Sequence, residues 1–306
     1  MTRDNRILGM GSSGTVSLYK ENTVLKGYVV WLDGRQYSFR DPPDDCILSL
    51  EREREAYERL GNHPHILRYL GIVEVEPGVR SLHFELASKG NLRLFIRNNE
   101  LGAVTDQKRL SWITGLASAL EHVHSREVIH CDLSCRNILL TKDDTAKLSD
   151  FGGAKLGGKE PSYSEEPWYE LPPRERTWEA RPYVKREIFA FGCLMYEIMA
   201  WEKPFGELTA EQVEKSYAHE EFPDLSGVLG ADIIRRCWNE EFETAKDVEI
   251  ALHTLADLPD SVQNTEEAVS AMQNGMSVAY MILRFWRRCW AGWWSAWETW
   301  GKLSRK

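Results

Sequence analysis

Val128-Ile129-His130-Cys131-Asp132-Leu133-Ser134-Cys135-Arg136-Asn137-Ile138-Leu139-Leu140 is the stretch on which the reading of this chain turns. Two apolar runs, Val-Ile and Ile-Leu-Leu, flank a polar segment that carries His130, Asp132 and Asn137. Short apolar runs bounded by polar residues read as buried strands. A loop held between two such strands sets an Asp and an Asn at fixed points. Asp132 could accept a proton from a hydroxyl, and Asn137 could bind a metal ion through its amide oxygen. Ten residues after Asn137, Lys147-Leu148-Ser149-Asp150-Phe151-Gly152 reads as another short strand ending in an Asp beside a Gly. Two carboxylates and an amide suit divalent-metal and phosphate chemistry. The alternative is that both Asp residues only cap turns, and the rest of the chain has to decide.

At 306 residues the chain can form one large domain or two modest ones with a cleft between them. A net charge of -9 gives no reason to expect a nucleic-acid partner. The polar start, Met1 to Arg6, runs straight into an apolar strand pattern and shows no signal peptide. Six cysteines without a C-x-x-C pair fit reduced thiols and a cytoplasmic or nuclear setting, and argue against a zinc ribbon. Cys131 and Cys135 bracket Asp132, either as a redox switch or as small core-filling thiols.

In chain order, Arg6 to Lys20 reads as strand, glycine turn, strand. Gly9, Gly11 and Gly14 allow backbone N–H groups to approach phosphate oxygens without a Cβ in the way. A dinucleotide-binding turn would open a helix at its last glycine, whereas Thr15-Val16 and Leu18 restart a strand here, which favours a flap. Glu21-Asn22 turns into Thr23–Tyr28, a strand with Lys26 among apolar neighbours; Lys26 either faces outward or clamps phosphate beneath the flap. Leu32-Asp33-Gly34-Arg35 signals a hairpin, and Asp41-Pro42-Pro43-Asp44-Asp45 is expected to break the chain before a helix over Leu48–Leu60. Ala56, Tyr57 and Leu60 share a face of that helix with Glu53, a buried carboxylate that needs a partner, and Lys26 is available. Glu51 and Glu55 lie round the helix and are expected in solvent. Strands are expected over Ile66–Val75 and Ser81–Leu86. Asn91 then caps a short helix through Arg97, and a long amphipathic helix runs from Asp106 to Ser125 with Leu110, Ile113, Leu116, Ala117, Leu120 and Val123 inward. His122 and His124 are read as surface or end-of-helix residues. A strand-rich first ~90 residues followed by a mainly helical remainder points to two lobes and a cleft.

These elements in this order resemble the eukaryotic protein kinase family, from about Arg6 to Leu258. Gly9, Gly11, Gly14 and Val16 match the glycine-rich loop, Val24-Leu25-Lys26 the strand of the ATP-contacting lysine, and Glu53 its helical partner. Phe84-Glu85-Leu86-Ala87 resembles the gatekeeper and hinge, His130–Asn137 the catalytic loop, and Asp150-Phe151-Gly152 the magnesium motif. Glu187–Gly192 and Cys237-Trp238 resemble later landmarks. The resemblance implies an α+β, two-lobed fold: a β-rich lobe and hinge over residues 1–87, a helical lobe over 88–258 and a tail over 259–306. It implies ATP and Mg2+ as cofactors and a protein substrate. Lys26 and Glu53 would hold the α- and β-phosphates, Glu85 and Ala87 the adenine, Asn137 and Asp150 the metal, with Asp132 as base and Arg136 beside it.

Several residues depart from the family pattern. Cys131 replaces the Arg that commonly binds a phosphorylated activation loop, so activity is not expected to depend on that switch. Ser134 stands where serine/threonine kinases carry Lys, and Arg136 where many tyrosine kinases place Arg; the abundance of serine/threonine kinases tilts the reading that way. Leu171-Pro172-Pro173-Arg174-Glu175 is the nearest match to Ala-Pro-Glu, and its Arg partner is missing at Thr244-Ala245-Lys246. Loss of both members orphans no buried charge. Glu187 replaces an Asp, one methylene longer. Together with Trp201-Glu-Lys-Pro-Phe205 these departures resemble a divergent group of short fungal protein-kinase-domain proteins.

Beyond Leu258, Val269, Met272, Met276, Ala279, Leu283, Trp286, Trp290, Trp293, Trp297 and Trp300 follow three- and four-residue steps, one helical stripe. Arg284, Arg287 and Arg288 interrupt it and argue against a membrane span. An extra Trp-rich helix over residues 269–300 would lie on a membrane surface, pack on a partner helix or the lobe, or have no structure at all. For the whole chain three functions are open. One is an active protein kinase, another a pseudokinase scaffold, and a third a small-molecule phosphotransferase sharing the His-x-Asp loop.

Overall fold

A computed structural model describes residues 7–11, 14–32, 35–38 and 44–258. The Trp-rich stripe, Ser12-Ser13 of the glycine turn, Asp33-Gly34 at the hairpin tip and Asp41-Pro42-Pro43 lie outside the described residues. The chain divides into two units, Met1–Glu249 and Ile250–Lys306.

The first unit begins with β1 (Ile7–Gly11), β2 (Gly14–Leu18) and β3 (Thr23–Gly27), then the hairpin β4 (Val29–Leu32) and β5 (Arg35–Ser38). Helix α1 (Asp44–Leu60) follows, then β6 (Tyr69–Glu76) and β7 (Val79–Glu85). Five of these strands form an antiparallel sheet in the order β1-β2-β3-β7-β6. Alternation in β2 puts Thr15 and Ser17 under cover, and β3 is buried from Val24 to Gly27. The glycine turn requires Gly14: its φ is +126°, and a Cβ there would stand 2.8 Å from the Gly27 carbonyl oxygen.

Helix α1 starts four residues before the expected Leu48. Asp44 and Asp45 were expected to break the chain but occupy its first turn, where carboxylates complement the positive end of the helix dipole. Ala56, Tyr57, Leu60 and Glu53 are buried together, as their spacing predicts. Glu51 is exposed; Glu55, expected in solvent, is only partly so and meets Lys159 and Arg59. The next strand begins at Tyr69 rather than Ile66. Ile66 instead bridges Leu148, and the pair Leu67 N–H to Leu148 O (2.9 Å) and Leu148 N–H to His65 O (2.8 Å) ties the sheet lobe to the helical one.

The helical lobe holds α2 (Leu92–Asn98), α3 (Asp106–Ser125), α4 (Tyr183–Ala200), α5 (Ala210–Ala218), α6 (Ala231–Trp238) and the start of α7 (Ala245–Ala256). Between α3 and α4 lie the short strands β8 (Val128–Ile129), β9 (Ile138–Leu140), β10 (Ala146–Leu148) and β11 (Lys155–Leu156). Asn91 caps α2 by accepting the Leu94 N–H, and Thr105 caps α3 through the Lys108 N–H. All six apolar residues predicted for the inner face of α3 are buried. Helix α4 is buried on nearly every side, the pattern of a helix at the centre of a lobe. Gly192 on α4 permits close approach of α6, since a Cβ there would lie 2.7 Å from that of Cys237.

His122 and His124 sit in the last turn of α3, as end-of-helix residues, and each has a partner there. His122 Nε2 meets Leu60 O at 2.8 Å, and His124 Nε2 meets Glu187 Oε2 at 2.7 Å. The Ala-Pro-Glu ion pair of the family is missing, as expected. Other charges tie the region instead: Arg174 and Arg176 both reach Glu240 beyond α6, and Arg174 also forks onto Glu220. Glu175, the residue aligned with the family Glu, is exposed.

Candidate active site

Strand β3 presents Lys26 inward because its neighbours Val24 and Leu25 are apolar and the strand is covered on both faces. Its ammonium lies 2.7 Å from Glu53 on α1 and 2.9 Å from Asp150 beyond β10. Burial works to lower the lysine's pKa, but the two carboxylates outweigh it and hold it above the ordinary value. Burial also pushes the Glu53 carboxyl up, against Lys26. Asp150, the more exposed partner, is held below the ordinary value because Lys26 outweighs its own desolvation. Its φ of 65° turns the backbone sharply before Phe151, whose ring packs on His130 with centroids 4.8 Å apart.

The opening stretch forms two strands with a loop between them, β8 and β9, each paired to a different neighbour. The loop is pinned at several points. His130 is fully buried and meets Ser149 O at 2.9 Å. Cys131 adopts φ 64°, and its N–H donates to Glu187 Oε1 at 2.7 Å. Both loop thiols are buried, and burial raises their pKa, which favours core filling over redox chemistry. Asn137 donates its amide nitrogen to Asp132 O (2.7 Å) and Asp132 Oδ2 (2.9 Å), leaving its amide oxygen as the acceptor. Burial raises the Asp132 carboxyl, while His130, Arg136 and Asn137 oppose it. Arg136 Nη2 stands 3.3 Å from Asp132 Oδ1. Ser134 is buried, and its hydroxyl accepts the Arg136 N–H at 3.4 Å, so it offers no cation to the cleft.

Between the lobes these groups close one end of a cleft of about 310 Å³. Leu8, Val16, Val24, Leu67, Phe84 and Leu139 form its apolar walls. Glu85, Leu86 and Ala87 form its back edge; the Leu86 N–H is spent on Asn22 O, and among the described residues the Ala87 N–H has no partner. Space is open where Gly9 and Gly11 would carry a Cβ. Of the residues expected at the site, the cleft gathers Gly9, Val16, Lys26, Glu53, Glu85, Ala87, Arg136, Asn137 and Asp150. Gly11 and Asp132 line the polar cavity next to it, with Arg136, Asn137 and Asp150 shared. Gly14 lines neither and serves the turn.

An apolar slot with a free backbone donor at one end and Lys26, Asp150 and the Asn137 oxygen at the other fits a nucleotide with its metal. Residues 6–253 match the family described as protein tyrosine and serine/threonine kinase. The chain belongs to the protein kinase family. The kinase domain is 28% identical to the mouse serine/threonine-protein kinase Nek1 over 74% of this chain and 18% of that protein. It is 27% identical to chicken tyrosine-protein kinase SYK over 78% of this chain and 39% of that protein. It is also 30% identical to the mouse megakaryocyte-associated tyrosine-protein kinase over 58% of this chain and 36% of that protein. The chain thus spans less than two fifths of these relatives' length.

Around the kinase cleft, reading the sequence missed Arg93 and Glu166. Arg93 on α2 donates to both oxygens of Glu166 (2.6 and 2.9 Å) and both of Glu197 (2.9 and 2.9 Å). Those carboxylates lie 73 and 104 residues away, so no local pattern announces them. Next to them Glu165 is buried against Arg186, 2.6 Å apart, with Trp178 over the guanidinium. Among the described residues no helix is long and apolar enough to cross a membrane.

Proposed function

We propose that this domain transfers the γ-phosphoryl group of ATP to a side-chain hydroxyl of a protein. The observation that carries the reading is the double contact of Lys26 with Glu53 and Asp150, beside a polar cavity lined by Asp132 and Asn137. Lys26, oriented by Glu53, binds the α- and β-phosphates, while Glu85 and Ala87 receive the adenine through their backbone. Asp150 and the Asn137 oxygen would hold Mg2+, which supplies neutralisation of charge on the phosphates. Asp132 orients the attacking hydroxyl and takes its proton as the new P–O bond forms and the β,γ P–O bond breaks. Catalysis here is positioning and electrostatics rather than covalent work by the protein.

The acceptor is read as serine or threonine in preference to tyrosine. Relatives named for either specificity resemble the chain about equally, and Arg136 sits where a tyrosine-specific loop would carry it. Cys131 and the buried Ser134 support a second reading, a nucleotide-binding scaffold without turnover. A small-molecule phosphotransferase is disfavoured by the glycine flap and by α4. Labelled ATP and a peptide array, with Asp150→Ala as comparison, decide among these. Labelling of peptides by the parent protein alone is the expected result; equal background from both, with a Mg-ATP thermal shift retained, would leave the scaffold. The array also reads the residue type. Cytoplasmic residence is the accompanying proposal, with residues 269–300 at a membrane surface or on a partner helix. Salt-sensitive co-sedimentation with anionic vesicles, lost on deleting residues 269–306, tests the membrane form.

A further inference from the structure

We propose that Glu166 is a positioning residue for the catalytic loop: fixed from behind by Arg93, it keeps Arg136 from seating fully on the proton-accepting oxygen of Asp132. The inference rests on the kinase reading for the role of Asp132, and on geometry alone for the tether.

Glu166 is only 13% exposed and is not an ordinary surface partner. Its anchor, Arg93, is forked on its other side onto Glu197 of α4, which is itself buried and accepts the Tyr169 hydroxyl. The Arg93 N–H also donates to Cys135 O in the catalytic loop at 3.1 Å. Glu166 therefore has little freedom to follow a neighbour. Its Oε1 lies 3.4 Å from Arg136 Nε, while Arg136 Nη2 lies 3.3 Å from Asp132 Oδ1. Both distances are long for charge-assisted bonds, which close to about 2.7–2.9 Å when a guanidinium seats on one carboxylate. The half-exposed Arg136 is thus suspended between two carboxylates.

The suspension matters because Asp132 has one oxygen to spare. Oδ2 takes the Asn137 amide at 2.9 Å, and Oδ1 has only the long Arg136 contact at 3.3 Å, so Oδ1 is the oxygen open to the substrate hydroxyl. Without the charge at Glu166, Asp132 is the carboxylate within reach of Arg136. The guanidinium then seats on Oδ1 and competes with the hydroxyl. Glu166 also supplies a fixed negative charge to the segment after Asp150 from its own sequence. Tethering of that segment to the catalytic loop then needs no added phosphate, consistent with Cys131 in place of an arginine.

Glu166→Gln keeps the shape and removes the charge. In a 1H–15N spectrum that resolves arginine side chains, the Arg136 Nε–H signal, assigned by Arg136→Gln, should shift and exchange faster with solvent in Glu166→Gln. Glu160→Gln, an exposed carboxylate of the same segment, should leave it in place. In phosphotransfer, Glu166→Gln should lower kcat about tenfold or more with KM for ATP unchanged, Glu166→Asp should restore part of it, and Glu166→Gln should add nothing in an Arg136→Gln background. An Arg136 signal identical in Glu166→Gln and parent overturns the tether. A full additional loss in the Arg136→Gln background overturns the route through Arg136. A parent protein without phosphotransfer whose Arg136 signal still responds retires the kinase reading and leaves the tether standing.

Discussion

Glu187 on α4 accepts the backbone N–H of Cys131 at 2.7 Å, and its second oxygen meets His124 at 2.7 Å. One carboxylate, fully buried, thus ties the catalytic loop and the end of α3 to the central helix. Cys131 needs this support because its φ of 64° is costly for a residue with a Cβ. In Glu187→Ala the Cys131 N–H is left buried without a partner, a loss of about 1–3 kcal/mol. The melting temperature should fall by roughly 2–4 °C for each of those kcal/mol. Glu187→Gln, which keeps one acceptor oxygen, should recover part of the loss. Thermal denaturation of the three proteins checks this, and equal melting temperatures would sever the loop from Glu187.

Asp132→Asn removes the proton acceptor and keeps the shape. Phosphotransfer should fall about 10²–10⁴-fold, while the thermal shift caused by Mg-ATP stays that of the parent. A variant with parental kcat would remove Asp132 from the chemistry.

The charges of the ion pair beyond α6 should be exchangeable. Glu240→Gln leaves Arg174 and Arg176 without their shared carboxylate, and Arg174 keeps Glu220. A loss of about 2 kcal/mol is expected for charged hydrogen bonds at this exposure. Reversing the charges (Arg174→Glu and Arg176→Glu with Glu240→Arg) should regain stability relative to Glu240→Arg alone. Urea midpoints measure it; no recovery in the swapped protein would mean that the pair contributes through shape rather than charge.

His63 supplies a pH dependence. Burial, and then the stacked His122 ring, push its pKa down to about 4 from the ordinary 6.5. A folded-state value below the unfolded one means that the unfolded chain takes up the proton first. Stability from this site is therefore complete above about pH 6.5 and lost as pH falls toward 4. Because the ring is partly in solvent, screening reduces the effect to about 1 kcal/mol. His63→Gln should flatten the fall in melting temperature between pH 6.5 and 4 compared with the parent. Parallel curves would mean that the imidazole keeps its ordinary pKa.

Phosphatase treatment should leave kcat unchanged. The segment after Asp150 is held by the buried Glu165–Arg186 pair and by Glu166 on Arg93, all unmodified side chains. Cys131 offers no guanidinium for a phosphate to bind. Kinetics before and after dephosphorylation, with phosphate content followed by mass spectrometry, give the answer; a drop in kcat that tracks loss of phosphate would contradict it.

Much of the cleft could be read from residue order. The apolar run around Lys26, the helical spacing that buries Glu53 and the polar loop between two short strands are local signals, and all three appear as expected. The start of α1 is not legible because Asp44 and Asp45 read as breakers in sequence, while at a helix N-terminus the same carboxylates are stabilised.

By itself the sequence determined which segments are strands and helices, which of their faces are apolar, and which short loops carry carboxylates and amides. Hydrophobic period and turn chemistry act over a few residues and are legible there. Apart from Lys26 and Glu53, only the tertiary structure decided which polar and charged groups meet. Glu187 receives Cys131 across 56 residues, Glu166 is held by Arg93 across 73, and Arg174 finds Glu240 across 66. Any of the chain's carboxylates could have served any of its cations. Burial selects among them, because a charge withdrawn from water must lie against an opposite charge that packing has brought to the same place.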